Sequence, residues 1–131
     1  MNLLLNTHVL LWVLEGSRSL GRHVRKAIES PSTTNSISAA SVWEISIKAG
    51  LGRLRLKQDI ARSLPEVLHE AGYRMLPITM EHALAVCGLP PHHTDPFDRM
   101  LVAQAGWQGL TLVTADKRLA AYGAPTIDAT E

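Results

Sequence analysis

The chain has 131 residues, 46% hydrophobic and 19% charged, with a net charge of +1 from 13 basic and 12 acidic side chains. That length supports one domain over residues 1–131 with a sizeable core, and the composition excludes a disordered chain. The balanced charge gives no support for a strongly basic nucleic-acid surface; the lone Cys87 excludes an intrachain disulfide and fits a reducing compartment.

The first stretch, LLLNTHVLLW, has no basic residue ahead of its leucines, and Asn6, Thr7 and His8 interrupt the apolar run. Neither a signal peptide nor a transmembrane helix is expected. Leu3 to Leu5, apolar on both faces, predict a buried parallel strand. Val9 to Leu14 predict a helix closed by Gly16, and Leu20 to Glu29 a second, ended by Pro31. Thr34 to Ser38 read as a strand, followed by a helix over Ala39 to Leu51 that Gly50 and Gly52 stop. Asp59 to Ala71 predict a helix, with Pro65 a candidate boundary between two pieces. A strand over Tyr73 to Ile78 and a short helix over Glu81 to Cys87 follow, before Leu89-Pro90-Pro91 breaks the chain. Pro96 to Trp107 predict a helix closed by Gly109. Leu110 to Thr114 predict a strand, Lys117 to Ala121 a last helix, and Thr126 to Ile127 an edge strand.

Alternating strands and helices imply βαβ units and an α/β fold with a mostly parallel sheet. Sites in such folds form at the carboxyl ends of the strands. Asn6 ends the first strand, Glu44 lies about one turn into the helix after the second, Asp95 and Asp98 open the helix of HTDPFDRMLVAQA, and Asp116 follows LTLVT. Each also has a local role open to it. Asn6 and Asp116 suit helix caps, Ser41 and Glu44 fit the capping pattern S-x-x-E, and Asp95, Pro96 and Asp98 make a good helix start. Independent caps need not share one edge of one sheet, so their coincidence there points to a site. Converging carboxylates repel unless a cation joins them. A hard divalent cation such as Mg²⁺ or Mn²⁺ prefers oxygen ligands, activates water and neutralises phosphate charge. The cluster therefore predicts metal-dependent phosphodiester hydrolysis.

LLLNTHVLLW, SAASVWEISIKAGLGRL, LPITMEHALAVCGLPPHHTDPFDRMLVAQA and LTLVTADKRLAAYG together resemble the successive motifs of the PIN-domain family, above all VapC-type toxins of type II toxin–antitoxin systems. The resemblance runs from residue 3 to about 125. It implies a three-layer α/β/α sandwich and a Mg²⁺- or Mn²⁺-dependent endoribonuclease leaving a 5′-phosphate and a 3′-hydroxyl. It also implies a homodimer in the cytoplasm and a cognate VapB-type antitoxin that blocks the site. The family's four acids fall at position 6, Glu44, Asp98 and Asp116, which the resemblance makes catalytic and metal-holding, with Asp116 able to act through water. Asp95 is a further acid of the DPFD pattern. Thr7, Ser38 and Thr114 fall where family members place hydroxyls.

Position 6 departs from the pattern. The family has Asp there; this chain has Asn, nearly the same size but uncharged and half donor. The exchange weakens metal binding and leaves packing nearly intact. A deliberate change that disarms a nuclease and a natural inactive relative both account for it, and the consistency of the other motifs favours the first. The competing function is a non-catalytic PIN-like module that binds RNA or protein. A phosphatase with an aspartyl nucleophile is disfavoured, because Asn6 and His8 stand where it needs acids.

Lys48, four residues after Glu44, reads equally as an ion pair of the helix and as a charge that restrains the acid or meets phosphate. Arg99 is a weaker candidate for RNA phosphate. His92 and His93 lack the spaced partners of a zinc site. His8 lies beside the site. Trp12, Trp43 and Trp107 favour core or interface packing over base stacking. Leu11 and Trp12 mark a candidate antitoxin groove, and Arg53 and Arg55 offer local positive charge.

Overall fold

A computed structural model describes the backbone of residues 1–54 and 60–131, and the side chains of these residues other than 60–62. Arg55 and the expected helix start at Asp59 lie outside the described residues. Five strands form one sheet: β1 (Asn2–Leu5), β2 (Thr34–Ser38), β3 (Arg74–Leu76), β4 (Thr111–Thr114) and β5 (Thr126–Asp128). Their order is β3-β2-β1-β4-β5, and every pairing is parallel, where the sequence predicts a mostly parallel sheet. The six α-helices among the described residues are α1 (Thr7–Glu15), α2 (Arg22–Glu29), α3 (Ala39–Gly50), α4 (Ile60–Glu70), α5 (Met80–Ala85) and α6 (Pro96–Gln108).

The leucine run of β1 explains the layering. Leu3, Leu4 and Leu5 are fully buried, and strand geometry sends alternate side chains to opposite faces. Leu3 and Leu5 join Val9, Val24, Ile28, Leu64 and Leu68 in one core, so α1, α2 and α4 cover that face. Leu4 joins Leu101, Val102, Ala105 and Leu112 in the other, under α6. The chain is thus a three-layer α/β/α fold with the core split by the sheet. α3 reaches both layers through Ile45 and Ala40.

Three local expectations are corrected. Pro65 sits inside one helix, α4, and does not divide it; Leu64 and Leu68, one turn apart and both buried, hold the helix to the core across the proline. Ser41 is not a cap. Ser38 caps α3, its hydroxyl accepting from the Ala40 amide, and Ser41 lies buried within the helix. The last helical segment, Lys117–Tyr122, is a 3-10 helix, and another such turn over Val86–Gly88 follows α5. The expected closures after α1 and α6 do hold: Gly16 and Gly109 have φ of 62° and 67°, in the left-handed region that glycine enters freely.

β1 lies centrally, between β2, which continues outward to β3, and β4, which continues outward to β5. Strand order reverses direction here, and a crevice opens at the carboxyl ends. α6 enters β4 antiparallel to the strands, so its first turn lies on the same edge. That places Asn6 after β1, Glu44 in α3 after β2, Asp98 at the start of α6 and Asp116 after β4 toward one edge of the sheet.

Candidate metal centre

Asn6 is the N-cap of α1 and is only 1% exposed. Its Oδ1 accepts from the Thr7 amide at 2.7 Å, and its Nδ2 donates to Thr114 Oγ1 at 2.9 Å. The Thr114 hydroxyl also accepts the Asp116 amide at 3.0 Å. Thr7 donates its hydroxyl to Ser41, and Ser38 donates to Gln104 Oε1, so all three predicted hydroxyls brace the elements around the acids. His8 accepts the Ala115 amide on Nε2 at 3.1 Å and stacks edge-on against Trp12; burial pushes its pKa down.

A cavity of about 180 Å³ is lined by Asn6, Thr7, His8, Glu44, Asp95 and Asp98, among others. Glu44 is buried. One oxygen, Oε2, pairs with Lys48, whose pKa the pairing raises; the other, Oε1, is buried with no hydrogen-bond partner among the described residues. Asp95 caps α6, Oδ1 accepting the Phe97 and Asp98 amides at 2.8 and 3.2 Å. The local and the site reading hold together here, since the cap holds the turn that presents Asp98. Burial, reinforced by Asp95, lifts Asp98 from the ordinary 3.8 to about 6. Asp116 goes the other way. Arg118 binds both of its oxygens, at 3.0 and 2.7 Å, and holds its carboxyl well below the usual carboxylate range.

His93 is the residue that sequence reasoning set aside. It is 7% exposed and lies between two acids, with Nε2 2.9 Å from Asp116 Oδ2 and 3.3 Å from Asp98 Oδ2. The three donor atoms lie within 4.8 Å of one another, with Glu44 outside that group. A search for histidine or cysteine partners misses this, because the partners are the acids themselves. His92, its neighbour in sequence, is exposed and stacks edge-on against Tyr122.

Arg99 does not face the crevice as a free cation. Nη1 donates to the carbonyls of Pro90 and His93 and to the Tyr122 hydroxyl, and Nη2 to the carbonyls of Val86 and Leu89. Arg53 is exposed. Leu11 and Trp12 pack partly buried against the core. Trp43 and Trp107 are each 60% exposed, so of the expected core or interface packing neither packs in the core; Trp43 meets Phe97 edge-on.

A family model of the PIN domain matches residues 3–125. The chain belongs to the PIN domain family. No curated protein sequence matches it. Its fold is shared by solved structures at low identity. DNA-bound VapBC from Salmonella typhimurium has a TM-score of 0.72 at 17% identity, covering 97% of this chain and 96% of that one. VapBC2 from Rickettsia felis, bound to a promoter DNA fragment, has 0.71 at 14%, covering 96% of each. VapBC-1 from nontypeable Haemophilus influenzae has 0.69 at 16%, covering 100% of each.

PIN domains take a divalent metal ion, and the donor set of this PIN domain fits a hard cation. Glu44 Oε1 is a buried carboxylate oxygen lacking a partner among the described residues, a costly state that a cation relieves. Lys48 on Glu44 and Arg118 on Asp116 already supply positive charge at two of the three carboxylates.

Proposed function

We propose that this PIN domain is the toxin component of a type II toxin–antitoxin system. On this reading it is a Mg²⁺- or Mn²⁺-dependent endoribonuclease, silenced or attenuated because position 6 is Asn. The observation that carries the reading is the crevice lined by Asn6, Glu44 and Asp98, with Asp116 reached from Asp98 through His93 and one buried oxygen of Glu44 without a partner among the described residues. Glu44, Asp98 and the side chain at position 6 would hold the ion. Asp116, both oxygens already bonded to Arg118 or His93, would act through water. The ion, when bound, supplies charge to polarise water and to neutralise the scissile phosphate. Without an ion, burial and Asp95 hold Asp98 at about 6, a penalty on its charge that a bound cation would offset. Lys48, 47% exposed at its side chain beside Glu44, is the cation best placed to meet a phosphate. Support for the partner comes from the shared fold of VapBC chains and of a toxin–antitoxin complex from Klebsiella pneumoniae. A VapB-type antitoxin, a homodimer and a cytoplasmic setting belong to the same proposal, as does a single domain spanning residues 1–131. No helix among the described residues is long and apolar enough to cross a membrane.

One observation favours a second reading, a non-catalytic module that binds RNA or protein. The Asn6 amide is satisfied on both sides, by Thr7 and Thr114, as a stable resident of the site would be. The test compares RNA cleavage by the chain as written and by Asn6→Asp, with Mg²⁺ or Mn²⁺ and with a chelator. Cleavage by the Asp form alone, abolished by the chelator, supports the nuclease. No cleavage of a broad RNA panel by either folded form supports the binding module.

A further inference from the structure

His93, Asp98 and Asp116 have the look of a chelate, but the hydrogen bonds around the imidazole argue otherwise. Nδ1 lies 2.9 Å from the backbone N–H of Asp95, which can only donate. Nδ1 therefore carries a lone pair. In a neutral ring the hydrogen is then on Nε2, the atom that faces Asp116 Oδ2 and Asp98 Oδ2. For Nε2 to bind a metal ion, that hydrogen would have to move to Nδ1. There it would oppose the Asp95 N–H, donor against donor, on a ring 7% exposed. The backbone resists a swing that would relieve the clash: the His93 carbonyl accepts from Arg99 at 3.4 Å and from the Tyr122 hydroxyl at 3.5 Å.

We propose that His93 is a positioning residue: a fixed, uncharged donor that sets the spacing of Asp98 and Asp116 for cation binding and is not itself a metal ligand. The proposal rests on the metal-dependent reading above. Its logic is one of reach. Asp98 belongs to the first turn of α6, and Asp116 to the turn after β4. The ring's Nε2 hydrogen-bonds Asp116 and lies 3.3 Å from Asp98, its other nitrogen holds the Asp95 amide, and Asp95 caps the same helix. The ring thereby ties the loop before α6, the acid on α6 and the acid after β4 into one rigid unit. A neutral donor steadies the Asp116 carboxylate and abuts that of Asp98 without placing a competing cation between them.

Two measurements test it. The first uses the chain as written, with ¹⁵N-labelled histidine, and follows the His93 ring nitrogens by NMR during titration with Mg²⁺ and then Zn²⁺. The expected result is an unprotonated Nδ1 and a protonated Nε2 throughout. Loss of the Nε2 hydrogen on adding Zn²⁺ makes His93 a ligand and overturns the proposal. A protonated Nδ1 in the absence of metal overturns it too. The second uses the Asn6→Asp chain and calorimetric Mn²⁺ affinity. His93→Gln restores an N–H near the Nε2 position, whereas His93→Asn keeps only an acceptor near Nδ1. The Asn form is expected to bind Mn²⁺ about tenfold more weakly, and the Gln form within about threefold of its parent. Equal affinity for the parent and the Asn form overturns the proposal while the metal reading stands. Failure of the Asn6→Asp parent to bind Mn²⁺ overturns the metal reading and, with it, any role of His93 in cation binding. Should either variant not fold, the NMR measurement on the unmutated chain decides the ligand question.

Discussion

The side-chain amide of Asn6 donates to the hydroxyl of Thr114 across the two central strands, at 2.9 Å. A carboxylate at position 6 cannot donate, so this bond must reverse, with Thr114 giving its own hydrogen to the acid. Asn6→Asp therefore preserves the contact and changes the charge. The new carboxylate would stand 1% exposed near Glu44 and Asp98. Without metal, it is expected to cost about 1–3 kcal/mol of stability. Mg²⁺ should restore much of that loss, while the chain as written should gain little. Thermal melts of both forms with and without Mg²⁺ check this, and an equal Mg²⁺ effect on the two would count against position 6 as a ligand.

Asp98 predicts a pH dependence. Its pKa in the folded chain is about 6, above the ordinary 3.8, because burial and Asp95 disfavour its charge. Between those values the folded chain holds a proton that the unfolded chain has lost. Stability should therefore fall as pH rises from about 4 through 6. A pKa unit corresponds to about 1.4 kcal/mol, and solvent screening at a partly exposed carboxyl reduces the total to about 1–2 kcal/mol. Asp98→Asn should recover this at pH 7.5 and not at pH 4, in urea unfolding without metal. In the Asn6→Asp chain the same substitution should abolish the Mg²⁺ response.

Arg99 offers a contrast between charge and shape. Five acceptors share its guanidinium, four of them carbonyls from the segment between α5 and α6. Lysine keeps the charge but not the planar fork. Arg99→Lys should destabilise the fold by about 2–3 kcal/mol. If Arg99 instead served mainly to meet RNA, lysine would leave the unfolding midpoint unchanged, which an urea titration would reveal.

His82 is fully buried, far from the acids in sequence, yet linked to them. Its Nδ1 accepts from the Thr79 amide, while Thr79 Oγ1 accepts from the His82 amide, so the pair caps α5 reciprocally. Gln104 lies 3.3 Å from the same nitrogen and bonds Ser38, the cap of α3, which carries Glu44. His82→Ala should cost about 2–4 kcal/mol by leaving buried donors unpaired. His82→Asn, which keeps a side-chain acceptor for the Thr79 amide, should recover part of this. Equal losses for Ala and Asn would show that ring volume, not the cap, matters there.

Much of this molecule is determined locally. A three-leucine strand flanked by polar residues specifies a central β1, and alternating apolar patterns specify the βαβ succession. In a parallel sheet that succession already delivers Asn6, Glu44, Asp98 and Asp116 to one edge. Cap chemistry is equally local: Asp95 with Pro96, and Gly109 after α6, work as their residue types dictate. Where two local signals competed, tertiary packing chose. Ser38 rather than Ser41 caps α3, and buried Leu64 and Leu68 carry α4 past Pro65. What no local pattern encodes is which polar atoms meet across the fold. His93 reaches Asp116 over 23 residues, Asn6 reaches Thr114 over 108, and Arg99 turns away from the crevice to clamp a loop. Hydrogen bonds have a reach of about 3 Å and fixed donor and acceptor roles, so these partnerships exist only once the backbone has placed the atoms. The sequence determined the acids and their edge; the tertiary structure decided which of them are bridged, which are clamped, and which oxygen was left unpaired.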